Sequence, residues 1–266
     1  MRRLALLAAL ALLSLAHFGA HAAPSAAPLS DLGFKQHPGA LLPYDAPLVD
    51  EAGQATTLRA VSGGLPLVIV PGYFRCPNLC GTVRDDILDA LRRSGLVAGR
   101  DYALAAVTID PAETPATAAA VRREDLARYP LPGGDADVHY LTGLGQSLDA
   151  IADAEGFPIR YDDKLKQFMH PAGIVLATPG GAVSGYVLGV GYAPDALHAA
   201  VERARQGVSS LAKPILLLCF HFDAVTGRYT LAVMKVLRLA AVLTVLTIGG
   251  VIWLAHRAGR RRESHS

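Results

Sequence analysis

The stretch Leu65-Pro66-Leu67-Val68-Ile69-Val70-Pro71-Gly72-Tyr73-Phe74-Arg75-Cys76-Pro77-Asn78-Leu79-Cys80 decides the fold. Its first half is a continuous apolar run, the pattern of a strand buried on both faces. Thr82 to Arg93, which follows, has helical spacing and is closed by Gly95. A Cys-x-x-x-Cys therefore stands where a strand turns into a helix. A helix N-terminus carries partial positive charge, which favours thiolates, the form that attacks disulfides and binds metals. Arg75 adds a cation beside the first thiol. If Pro77 opens the helix, Cys76 and Cys80 lie one turn apart on one face, and their sulfurs can meet on each other or on a common ion.

Outward from this junction the pattern stays α/β. Pro47 to Val49 and Thr56 to Leu58 flank the turn Asp50-Glu51-Ala52-Gly53 and predict a hairpin. Tyr102 to Ile109 is a second buried strand, halted by Asp110-Pro111. Pro115 to Arg128 is a helix that stops before Pro130. Val138 to Leu141 predicts a short strand, and Ser147 a cap for a helix ending at Glu155 before Gly156. Ala172 to Ala177 and Val183 to Leu188 form a hairpin, and Asp195 to Gln206 a last helix that buries Leu197, Val201 and Ala204. That order is a thioredoxin-like α/β sandwich.

The chain has 266 residues and a formal charge of +2, from 23 acidic residues against 25 Lys and Arg, a balance that argues against a nucleic-acid partner. Its ends are different in kind. Met1-Arg2-Arg3, the apolar run Leu4 to Leu15 and Ala20-His21-Ala22 make residues 1–22 a secretory signal peptide. Residues 23–44, rich in Ala and Pro, read as a spacer, and 45–207 as the folded domain. A juxtamembrane segment (208–235), a transmembrane helix (236–255, with Trp253 at an interface) and a basic cytoplasmic tail (256–266) follow. The expected topology is a single-pass inner-membrane protein with its domain on the periplasmic side. In that oxidising compartment a close cysteine pair can cycle between dithiol and disulfide.

Five stretches in order carry a resemblance to a known family: the Asp50-Glu51-Ala52-Gly53 turn, the strand into Cys76-Pro77-Asn78-Leu79-Cys80, Val107-Thr108-Ile109-Asp110-Pro111 with Thr114, Tyr140-Leu141-Thr142-Gly143, and His170 before the final hairpin. Over residues 45–207 the chain resembles the Sco/SenC family of membrane-tethered, copper-binding thioredoxin-fold proteins. The resemblance implies one copper ion held by Cys76, Cys80 and His170, and a role in assembling the copper centre of a haem–copper (cytochrome c) oxidase. Two thiolates and an imidazole form a soft set that prefers Cu(I) and also accepts Cu(II). Zinc would need a fourth ligand, and none stands at a matching spacing. The chain departs from the family at Asn78, where Asp is frequent, at Gly81, where Pro is frequent, in a shorter acidic run after Asp110-Pro111, and in its C-terminal tether.

His170 immediately precedes Pro171, and in thioredoxin-like folds such a proline is often cis and faces the cysteine loop. The same histidine on a solvated loop would be inert. Asp110 is read as capping its turn, Asp85 and Asp86 as lying on a solvated helix face, and His139 and His37 as a strand and a spacer residue. Met169 is read as a hydrophobic filler, and Cys219, with His221, as a packed cysteine at the membrane boundary more than a second soft site. Expected partners are a copper-receiving oxidase subunit, a periplasmic thiol reductant and the membrane. The rival from the enzyme class is a thiol–disulfide oxidoreductase, with Cys76 attacking and Cys80 resolving. A peroxiredoxin-like peroxidase fits the fold but not the residues around Cys76.

Overall fold

The computed structural model describes residues 32–76, 80–212, 240–244 and 247–250. The first hairpin joins β1 (Leu48–Val49) to β2 (Ala55–Thr56), with Leu48 opposite Thr56. Asp50 closes its turn, accepting the N–H groups of Ala52 and Gln54 at 2.9 and 2.8 Å. Thr57 does not extend β2 as the pattern suggested. Its side chain caps α1 (Leu58–Ser62), accepting the Ala60 N–H.

The core strand β3 (Leu67–Gly72) begins two residues later than expected and carries the apolar run to the cysteine loop. After it come α2 (Cys80–Arg93), β4 (Ala103–Thr108) and α3 (Pro115–Arg128), the last capped by Thr114 with Pro115 in its first turn. Next is β5 (Val138–Gly143), then α4 (Gly145–Glu155). Ser147 lies inside the first turn of α4 and is not its cap; Leu144 holds that position without a side-chain bond. Two short strands that the sequence did not reveal, β6 (Arg160–Asp162) and β7 (Gln167–Met169), pair antiparallel. The chain closes with β8 (Gly173–Ala177), β9 (Val183–Leu188) and α5 (Pro194–Arg205).

The main sheet has seven strands in the order β2-β1-β5-β4-β3-β8-β9. The middle strands β3, β4 and β5 are parallel, and the outer ones antiparallel. Alternation along β3 and β4 splits their apolar residues between two cores. Val68, Val70, Leu104 and Ala106 pack with Ile87 and Leu91 of α2, Val121 of α3 and Leu197 and Val201 of α5. Leu67, Ile69, Ala103 and Ala105 pack on the opposite face with Leu58 of α1 and Leu148 and Ile151 of α4. The expected thioredoxin-like α/β sandwich is the architecture observed.

Several expectations change. Part of the expected spacer is folded: Leu42 and Tyr44 are buried, and Phe34 packs edge-on against Phe157 and Tyr186. Asp85 and Asp86 are half-buried, and each has a partner. Asp85 pairs with Arg128 at 3.1 Å, and Asp86 accepts the Gly191 N–H at 2.7 Å. The signal peptide, Pro77, Cys219, His221 and the basic tail lie outside the described residues. Of the expected span, 240–244 and 247–250 are described; among the described residues no helix is long and apolar enough to cross a membrane.

Candidate metal centre

The two thiols are delivered by the end of β3 and the start of α2. Cys80 opens α2 and is 5% exposed, lying against Gly72, while Cys76 is half-buried on the loop between them. No disulfide joins Cys76 and Cys80 in this structure. His170 arrives from the far side of the sequence, on the link from β7 to β8. Its Nε2 lies 3.2 Å from Cys80 Sγ. The His170–Pro171 bond is trans, not cis, since the described residues contain no cis peptide. The imidazole faces the thiols nonetheless.

The ring is held on three sides. Its Nδ1 lies 2.9 Å from the Pro171 carbonyl oxygen, Phe157 packs at 5.2 Å between centroids, and Tyr73 meets it edge-on at 6.0 Å. A carbonyl only accepts, so Nδ1 carries the proton and Nε2 turns a lone pair towards Cys80. This is how a metal-ligating histidine is oriented by its other nitrogen.

The helix terminus does not prevail at Cys80. Its thiol is pushed far above the ordinary value, first by the hydrogen bond with Cys76 and then by burial, with the Cys76 charge adding to both. The Tyr73 N–H and the Arg84 charge oppose these effects and lose. Cys80 therefore holds its proton at neutral pH in the metal-free protein. The Tyr73 phenol is also raised, first by burial and next by its hydrogen bond with Cys76.

Two residues that the sequence reading missed shape the loop. Glu113 accepts the N–H of Phe74 on Oε2 and that of Arg75 on Oε1, each at 2.8 Å, and the Thr108 hydroxyl at 2.5 Å. Arg84, one turn beyond Cys80, is the buried cation of the site. Its Nε donates to Asp125 at 2.8 Å, and Nη2 reaches the Phe74 carbonyl at 3.5 Å. Arg75, the cation expected beside Cys76, is exposed. The i, i+4 spacing from Cys80 was the one sequence signal for Arg84; Glu113 had none, because its role depends on a contact 38 residues back.

The other candidates lie elsewhere. Asp110 accepts the Ala112 N–H at 2.9 Å and caps its turn. His139 sits on β5 with Nδ1 3.5 Å from Glu51, and His37 donates its N–H to Tyr186. Met169 ends β7, half-buried. Among the described residues no three of His, Cys, Asp and Glu already stand as a ligand cluster. The donors nonetheless suit a soft ion. Metal bonds of about 2.3 Å to sulfur and 2.0 Å to nitrogen, at 120°, place those atoms about 3.7 Å apart. Cys80 and His170 stand at 3.2 Å, so about half an ångström of opening admits an ion between them.

A cysteine pair at a strand–helix junction, faced by a histidine across a thioredoxin-like sheet, defines a class of thiol and soft-metal proteins. Residues 43–206, more than half of the chain, match the family model described as SCO1/SenC, and the chain belongs to that family. Among solved structures, one from Aquifex aeolicus VF5, provisionally assigned as an electron transfer protein, is 23% identical with a TM-score of 0.56, covering 63% of this chain and 94% of that one. A second from the same organism, provisionally assigned to electron transport, is 24% identical with a TM-score of 0.52 over 63% and 98%. Arabidopsis thaliana ScoI with copper bound is 17% identical with a TM-score of 0.50 over 66% and 99%. At these identities the likeness is one of fold. No curated protein matches the chain.

Proposed function

We propose that this chain is a membrane-tethered copper-binding protein that assists assembly of the copper centre of a haem–copper oxidase, by copper delivery, by thiol reduction or by both. The observation that carries the reading is the approach of His170 Nε2 to Cys80 Sγ, with the histidine tautomer fixed by Pro171. Copper is the cargo, and Cys76, Cys80 and His170 are its ligands. Loading requires Cys80 to release the proton that Cys76 and burial help it keep, so uptake strengthens as pH rises. An acceptor that supplies a better ligand set draws the ion off, and Cys80 regains its proton.

The tether belongs to the same reading. Residues 1–22 export the chain, residues 236–255 anchor it, and the domain works on the periplasmic side of the inner membrane. Two observations support the anchor. Val242, Leu243 and Ile248 are exposed on helical backbone, where lipid is a better solvent for them than water. The Thr244 and Thr247 hydroxyls bond back to the carbonyls of Ala240 and Leu243, as an apolar medium requires. Confining donor and acceptor to one surface raises their effective concentration.

A second reading, periplasmic thiol–disulfide oxidoreductase, is favoured by the unequal burial of the pair. Half-buried Cys76 attacks a partner disulfide and releases one partner thiolate. Buried Cys80 then attacks the mixed disulfide, leaving a Cys76–Cys80 disulfide and a fully reduced partner. Anaerobic Cu(I) titration of the full chain separates the two. One copper per chain, lost in Cys76→Ser and greatly weakened in His170→Ala while that variant keeps its dithiol reactivity, supports the copper reading. Copper retained by His170→Ala with its reductase activity lost would refute it.

A further inference from the structure

We propose that Glu113 is the positioning residue of the cysteine site, fixing the chain ahead of Cys76 so that its sulfur is presented to Cys80 and His170; its bearing on copper rests on the function proposed above. The carboxylate uses both oxygens on the cysteine loop, taking the N–H groups of two consecutive residues, Phe74 and Arg75, at 2.8 Å each. These are the last two peptide N–H groups before Cys76. No strand or helix ladder satisfies them, so without Glu113 they would have to turn towards water. Hydrogen bonds to an ionised acceptor are the stronger kind, and two on one carboxylate also fix direction.

Glu113 is itself braced. Its Oε2 receives the Thr108 hydroxyl at the end of β4, its own N–H bonds Asp110 O at 3.1 Å, and the next residue, Thr114, caps α3. The loop is gripped from its other face as well. The Phe74 ring stacks on Tyr140 at 5.5 Å, and Arg84 reaches the Phe74 carbonyl. Phe74 is thus held by its N–H, its carbonyl and its ring. Arg75 is held by its backbone alone, while its side chain is free to face solvent. One residue further on stands Cys76. The glutamate acts through the backbone that carries Cys76.

Glu113→Gln tests this. An amide keeps one acceptor oxygen and sets an NH2 group against the other N–H, so one of the two loop bonds is lost and a donor faces a donor. The full chain is compared with the variant in two assays. In the metal-free, reduced protein, the alkylation rate of Cys76 by iodoacetamide, followed by peptide mass, is expected to rise at least about threefold as the sulfur leaves its seat. Cu(I) affinity is expected to fall roughly tenfold, the scale of one charge-assisted bond. A merely structural role would lower the melting temperature and leave the reactivity of folded Cys76 unmoved.

If Glu113→Gln does not fold, Thr108→Val removes the hydroxyl that braces Oε2, keeps the side-chain shape and is expected to raise the alkylation rate in the same direction. An alkylation rate within twofold of wild type in the folded variants overturns the proposal. Failure of the wild-type chain to take up copper overturns the functional reading instead, and the alkylation result still decides the role of Glu113.

Discussion

Glu155→Gln should remove a pH dependence of stability that is visible in the structure. Glu155 ends α4 at 1% exposure, and neither carboxyl oxygen has a hydrogen-bond partner. Tyr186 donates to the Glu155 backbone carbonyl at 3.0 Å and so leaves the side chain unserved. Burial alone pushes the carboxyl up from 4.5 to about 8. A folded value above the unfolded one means that the folded state binds the proton more tightly. The stability linked to that proton is complete below about pH 4.5 and is lost as pH climbs through about 8. Each pKa unit is worth about 1.4 kcal/mol, so the whole window spans about 5 kcal/mol, of which about 3.5 falls between pH 5 and pH 8. Glutamine has nothing to ionise. Urea unfolding of both proteins at pH 5, 6, 7 and 8 should show wild type losing about 3.5 kcal/mol more than the variant between the extremes. Parallel curves, within about 1 kcal/mol at every pH, would refute the reasoning.

Other substitutions probe the frame of the site. Asp125 is 1% exposed and accepts Arg84 Nε and the Tyr140 hydroxyl, so Asp125→Ala strands a buried guanidinium. Urea unfolding should show a loss of about 3–5 kcal/mol, and a loss under about 1 would contradict the pairing. Gly156 has φ +63°, and a Cβ there would stand 1.7 Å from the Lys35 carbonyl oxygen. Gly156→Ala should therefore push the 34–37 segment off α4 and cost about 2–4 kcal/mol, read as a fall in melting temperature. Copper uptake by the full chain should strengthen between pH 6 and pH 8, because loading expels the proton held on Cys80; a flat profile would contradict that protonation state.

What the sequence revealed follows from burial. β3 and β4 are covered on both faces, so every position before the terminal Thr108 of β4 had to be apolar and the runs stood out. α3 announced both ends, with Pro115 in its first turn and Tyr129 before Pro130. β6 and β7 left no such mark. They are three residues each and only partly covered, and Arg160-Tyr161-Asp162 against Gln167-Phe168-Met169 has no clean alternation. The Ala- and Pro-rich approach hid its anchors for a related reason: Phe34, Leu42 and Tyr44 are three scattered side chains in a spacer-like background. At the site, the thiols and His170 could be picked out by residue type and family order. The restraints on them could not. Glu113 and Arg84 are ordinary charged residues until the fold brings one to the Phe74 and Arg75 amides and the other to the Phe74 carbonyl and Asp125.

The most direct measurement is X-ray absorption at the copper edge of the full chain loaded anaerobically with Cu(I). One copper per chain with two sulfur neighbours and one nitrogen, the nitrogen lost in His170→Ala and one sulfur lost in Cys76→Ser, is the predicted result. Copper bound away from these residues, with a neighbour shell that neither substitution alters, would contradict the account.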